Sequence, residues 1–92
     1  MIRATVLYDE APDDTSYAEH VELCRKVPLA TFRHGPVFGS PFGEPRFKYF
    51  AEFELPDMDA FKTASRTEEF MATGKHAMEL GTPFTVFFAQ VD

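Results

Sequence analysis

Tryptophan is absent from this chain and cysteine occurs once, so neither an internal disulfide nor a cysteine metal cluster can form. Cys24 falls within a helical stripe of apolar residues, where a thiol reads most simply as a small buried hydrophobe. No apolar run approaches bilayer-crossing length, and Met1-Ile2-Arg3 leads straight into a strand pattern without a secretory leader. A soluble, cytoplasmic protein is expected. Basic residues are few and scattered: 9 Lys and Arg stand against 15 Asp and Glu, for a formal net charge of -6. Such a chain repels polyanions, which argues against nucleic acid and anionic membranes as partners. The glycines near Gly39 and Gly43 lack the spacing and the lysine of a phosphate loop. Three histidines without ligand spacing make no metal site. No Ser-His-Asp arrangement is legible, and Ser40 lies in a proline loop without a nucleophile elbow.

Phenylalanine is what the chain has in abundance, 11 in 92 residues. That length makes one domain, residues 1–92, with a modest core. Large apolar side chains exceed what so small a core can cover, so a second subunit is expected to cover some of them.

Asp14 to Pro28 carries the most informative helix. Asp14 or Thr15 can cap it, Tyr17, Val21, Cys24 and Val27 form its apolar stripe, and Pro28 ends it. His20 lies on the flank of that stripe and should look inward. Before this helix, Ile2–Tyr8 alternates as a strand, with Ile2, Ala4, Val6 and Tyr8 on one face. After it come a short extended segment, Leu29–Arg33, and a loop rich in Gly and Pro. Phe47–Leu55 is the clearest strand, with Tyr49, Ala51, Phe53 and Leu55 on one face. Asp57 or Asp59 caps a second helix, Ser65-x-x-Glu68 and Thr67 mark a restart, and Gly81 stops it. Phe84–Val91 is the last strand, apolar on both faces.

The order is β-α-β-β-α-β, the ferredoxin-like α+β pattern: a four-stranded antiparallel sheet with helices on one face. Its other face would carry Phe50 and part of the last strand uncovered, and a two-fold homodimer is the simplest closure.

Tyr17-Ala-Glu-His20-Val-Glu-Leu23 followed by Val27-Pro28 resembles the first helix of EthD-like proteins, and the strands IRATVLY, KYFAEFEL and FTVFFAQV fit that family as well. The resemblance spans the whole chain, with Glu22 standing where the family has proline. It implies a dimeric α+β barrel. Relatives on that scaffold include cofactor-free monooxygenases, muconolactone-type isomerases and polyketide-processing enzymes. The EthD name itself comes from a gene cluster for ethyl tert-butyl ether degradation.

His20 is the leading candidate, as a general acid or base or, alternatively, as a packing histidine bonded to a carbonyl or to Tyr17. Tyr8, Tyr17 and Tyr49 can each orient a polar group in an apolar pocket, or simply pack. Arg33 and His34 could meet an anionic or carbonyl substrate at a cleft mouth, or form a solvated strand end. Glu52 needs a partner such as Arg3 or Lys48 if its face is buried. His76 is expected at the surface.

Two functions follow. In one, a cofactor-free enzyme of isomerase, dehydratase or monooxygenase type binds a small, mainly apolar oxygenated compound between helix and sheet, and His20 moves a proton. In the other, a non-catalytic dimeric module binds a hydrophobic metabolite or supports a partner oxygenase.

Overall fold

The alternating residues Ile2–Tyr8 form β1 at the centre of the sheet in the computed structural model, which describes residues 1–92. β2 (Thr31–Pro36), β3 (Tyr49–Leu55) and β4 (Phe84–Gln90) complete an antiparallel sheet in the order β2-β3-β1-β4. The register sets Ile2, Ala4, Val6 and Tyr8 against Leu55, Phe53, Ala51 and Tyr49 on one side. On the other side they meet Gln90, Phe88, Val86 and Phe84. Strand side chains alternate, so all of these share the face that the helices cover. Helix α1 (Asp14–Cys24) follows β1; α2 (Met58–Ser65) and α3 (Glu68–Glu79) link β3 to β4. The ferredoxin-like α+β architecture is thus present, with Tyr8, Cys24 and Leu55 fully buried between the layers. Burying a side chain of that size stabilises the fold by about 1.5–3 kcal/mol.

Local chemistry explains the element ends. The Asp13 carboxylate accepts the Ser16 amide, so α1 is capped one residue before the expected Asp14 or Thr15. Asp13 wins because its backbone is extended while its side chain reaches three residues ahead. Asp57 caps α2 through the Ala60 amide, and Thr67 restarts the chain as α3 through the Phe70 amide. Gly81 lies just past α3 at φ 76, a left-handed conformation that suits glycine. Leu29 adopts φ 67 in the turn after α1 and bears the steric cost that glycine would avoid.

Four strand ends differ from expectation. β2 begins at Thr31 rather than Leu29, because Leu29 is spent on the turn, and it continues to Pro36 through pairing with β3. β3 begins at Tyr49 rather than Phe47, and β4 ends at Gln90 rather than Val91.

The uncovered face is mixed rather than uniformly apolar. Thr5, Leu7, Phe50 and Phe87 lie at one end by register. At the other, Glu52 lies 3.3 Å from Arg3 and 3.1 Å from Arg33, while Glu54 also pairs with Arg33. Glu52 therefore uses Arg3, as one alternative held, but Arg33 in place of Lys48, which bonds Glu44. β4 is open on both sides: Phe87 is 44% exposed on the bare face, and Val86 and Phe88 are 45% and 57% exposed on the helix side.

Candidate functional site

Tyr17 and His20 are three residues apart on α1 and so share a flank, which burial turns toward the sheet. The Tyr17 ring centroid lies 5.8 Å from Tyr8, 5.2 Å from Tyr49, 5.5 Å from His34 and 5.7 Å from His20. Five of the residues singled out from the sequence, Tyr8, Tyr17, His20, His34 and Tyr49, thus meet in one aromatic array. Arg33 does not join them. Being next to His34 in a strand, it points to the opposite face and is held there by Glu52 and Glu54.

His20 is only 4% exposed, and its Nδ1 lies 3.1 Å from Nδ1 of His76 on α3. The two rings are nearly parallel, at 14°. One imidazole donates to the other. His76 is half-buried rather than at the surface as expected, because α1 leans on α3 there. Its Nε2 lies 3.9 Å from the exposed Glu19 carboxylate. Burial, assisted by His76, lowers the His20 pKa to about 4, so this imidazole is neutral at physiological pH. The pairing of His76 with His20 was not legible because nothing in the sequence pairs positions so far apart. The one available signal was its place beside inward-facing Thr73 and Ala77.

Two phenols complete the array. Tyr8 is 0% and Tyr17 6% exposed, and neither hydroxyl has a hydrogen-bond partner outside this pair. Burial pushes Tyr8 up to about 12 and Tyr17 higher still, so both remain neutral hydrogen-bond donors. Tyr49 is different: its hydroxyl lies 2.8 Å from His34 Nδ1. Burial and then Asp14 raise its pKa, while burial and then Arg25 lower that of His34. Cys24 is buried and its thiol is pushed up to about 12, which leaves it inert as a nucleophile.

A cavity of about 340 Å³ opens between α3 and the sheet. Ala4, Val6, Phe84 and Phe88 line it from the sheet, and Thr73 and Ala77 from α3. The Thr73 hydroxyl is already bonded, 2.6 Å from the Phe70 carbonyl. His20, Tyr8 and Tyr17 are not part of this wall, contrary to the expected aromatic-lined space with His20 inside it. Only Tyr8 reaches its edge: Phe84 lines the cavity and packs 6.2 Å from Tyr8. The displacement follows from α1 lying toward β3 and β2 while the cavity sits beneath α3. A second, shallow depression between α1 and α3, about 230 Å³, is bordered by Lys26, Glu68 and Glu69. No group of three or more His, Cys, Asp or Glu is arranged to hold a metal ion. No helix is long and apolar enough to cross a membrane.

No family model and no curated protein matches the sequence. Solved structures do match. An ethyl tert-butyl ether D (EthD) family protein from Bacillus halodurans C-125 is 29% identical with a TM-score of 0.82, covering 100% of this chain and 99% of its own. A dimeric ferredoxin-like protein of unknown function from Jannaschia sp. CCS1 is 16% identical at a TM-score of 0.75, covering 98% of each chain. The hydroxynitrile lyase of Passiflora edulis shares the fold at 12% identity and a TM-score of 0.75, covering 99% of this chain and 93% of its own.

Proposed function

We propose that this EthD-like chain is a small-molecule catabolic protein that takes up a small, mainly apolar oxygenated compound beneath α3, and that His20 supplies acid-base chemistry to it. One observation carries the reading: an apolar cavity whose wall residue Phe84 packs on Tyr8, from which the buried aromatic array runs through Tyr17 to the neutral imidazole of His20. At about 340 Å³ the cavity falls within the roughly 300–1,000 Å³ usual for small-molecule sites. Exposed Val86 and Phe88 form its mouth. Each methylene that enters contributes about 0.8 kcal/mol of binding.

The imidazole pair gives His20 a defined task. Its Nδ1 is engaged by His76, so Nε2 is the atom left to take a proton from an activated carbon. A proton accepted there makes Nδ1–H a stronger donor to His76, and His76 faces the Glu19 carboxylate at the surface. The pair thus forms a path from a dry interior to water. Isomerisation, dehydration or cofactor-free oxygenation each begin with such a proton transfer. Catalysis of this kind contributes roughly a hundredfold or more. The His20→Gln variant, assayed on a substrate found by screening ether and aromatic degradation intermediates, should lose that factor while still binding. Turnover kept within about threefold would end the catalytic assignment.

The second reading is a binding or accessory module for a partner oxygenase. The absence of His20 from the cavity wall favours it. Ligand capture by native mass spectrometry, with no turnover and no dependence on His20, is its signature. In either case the chain is expected to act as a homodimer through the uncovered sheet face; the Jannaschia neighbour is described as dimeric.

A further inference from the structure

We propose that two copies of this chain stack bare face to bare face about a two-fold axis that runs along the strands. Arg3 of each copy then pairs with Glu54 of the other, and Leu7 of each packs on Phe50 of the other. This rests on the reading that the chain is a homodimer through that face, and adds which end of one sheet meets which end of its partner.

Register divides the centre of the face into rows. Leu7 lies beside Phe50, Thr5 beside Glu52 and Arg3 beside Glu54, each pair spanning the central strands β1 and β3. Apolar side chains thus occupy one end and charges the other. The charged end is balanced: Arg3 and Arg33 stand with Glu52 and Glu54, although the chain as a whole carries a net charge of -6. Two copies can bring these ends together without the repulsion that the rest of the surface would impose.

A two-fold stack of sheets takes its axis either along the strands or across them. Across the strands, with the faces fully overlapped, Glu52 meets Glu52, Arg33 meets Arg33, and Arg3 is driven onto Leu7. Like charges in contact and a guanidinium desolvated by an apolar side chain both oppose that arrangement. Along the strands, β1 lies over β3 of the partner and each row meets its own kind: Leu7 faces Phe50, and Arg3 faces Glu54. Arg3 is free to take a second carboxylate, because its Nε lies 3.3 Å from Glu52 without forming a hydrogen bond. Sliding the copies until their apolar ends alone overlap avoids the clash but halves the contact. The four-stranded face measures only about 19 by 23 Å. A stable interface buries about 800 Å² of accessible surface per partner, so the whole face is needed. Stacked sheets cross at about 30°, which displaces the edge strands most and leaves pairs beside the axis in contact.

Two variants separate contacts between copies from contacts within one. Arg3→Glu and Glu54→Arg each place like charges at both contacts of their own dimer, and should weaken it roughly tenfold or more. Mixed in equal amounts, they restore an opposite pair at both contacts, so native mass spectrometry should show the heterodimer in excess over both homodimers. Charges within each copy are the same alone and in the mixture, so pairing inside a protomer gives no such preference. A second measurement needs no variant. In a dimer assembled from ¹³C-labelled and unlabelled wild-type chains, isotope-filtered NOEs should join the Leu7 methyls of one copy to the Phe50 ring of the other. NOEs from Leu7 to Arg3 or Leu7 of the partner, or a statistical mixture of the variant dimers, would overturn the axis and leave the homodimer standing. A monomeric wild-type chain would overturn both.

Discussion

His20 and His76, 56 residues apart in the chain, meet Nδ1 to Nδ1 at 3.1 Å and tie α1 to α3 above the central strands. The join is made by the buried imidazole of His20 and the half-buried one of His76 in the last turn of α3. The candidate chemistry and part of the stability therefore depend on the same contact.

Removing one partner should expose that dependence. His76→Ala leaves the buried Nδ1 of His20 without a partner and should cost about 1–3 kcal/mol in urea unfolding. His76→Gln can still offer a hydrogen bond and should recover part of the loss. Equal stability of the alanine variant and the wild type would show that the imidazole contact contributes nothing.

Stability should also carry a signature in pH. His20 titrates near 4 in the fold and near 6.5 when exposed, so between those values the unfolded chain binds a proton that the native state refuses. The stabilisation is therefore complete above about pH 6.5 and is lost as pH falls toward 4, by on the order of 1–3 kcal/mol. Urea midpoints measured from pH 7.5 to 4 should show this slope, and the slope should flatten in His20→Gln. An unchanged slope in that variant assigns the effect to other groups.

Leu29 offers a gain. Its φ of 67 is unfavourable for a side chain with a Cβ, and at 56% exposure it packs little. Leu29→Gly should raise stability by up to about 1 kcal/mol, since relief of the left-handed strain outweighs the extra freedom of the unfolded chain. A lower melting temperature would mean that the exposed leucine packs against something in solution.

Assembly can be weighed directly. The protomer mass is 10.5 kDa, and sedimentation equilibrium should return about twice that value. Phe87→Asp places a charge among Thr5, Leu7 and Phe50 on the uncovered face and should shift the mass to the monomer. The same charge at exposed Met78, on the helix side, should leave the dimer intact. A wild-type chain sedimenting as a monomer would remove the uncovered face from this role.

Much of the fold was legible because the signals involved are local. Alternation in Ile2–Tyr8 and Tyr49–Leu55 assigned the buried faces correctly, and Asp57, Thr67 and Gly81 marked helix ends through chemistry that spans three or four residues. The choice of Asp13 over Asp14 as first cap, and the late start of β2, turned on backbone angles that several neighbouring residues could equally have adopted. At the site, Tyr17 and His20 were readable as one inward flank of α1. That Tyr8, Tyr49 and His34 would crowd around them required the strand register, which no single segment contains.

Residue pattern by itself determined a β-α-β-β-α-β chain with one apolar face per strand, because side-chain periodicity depends only on the local backbone. Tertiary structure alone decided that His76 would lean on His20, that Arg33 would turn to the charged side of the sheet, and that the cavity would open beneath α3 rather than α1. Those outcomes depend on how far each helix stands from each strand, and that spacing is fixed only when all the layers pack together.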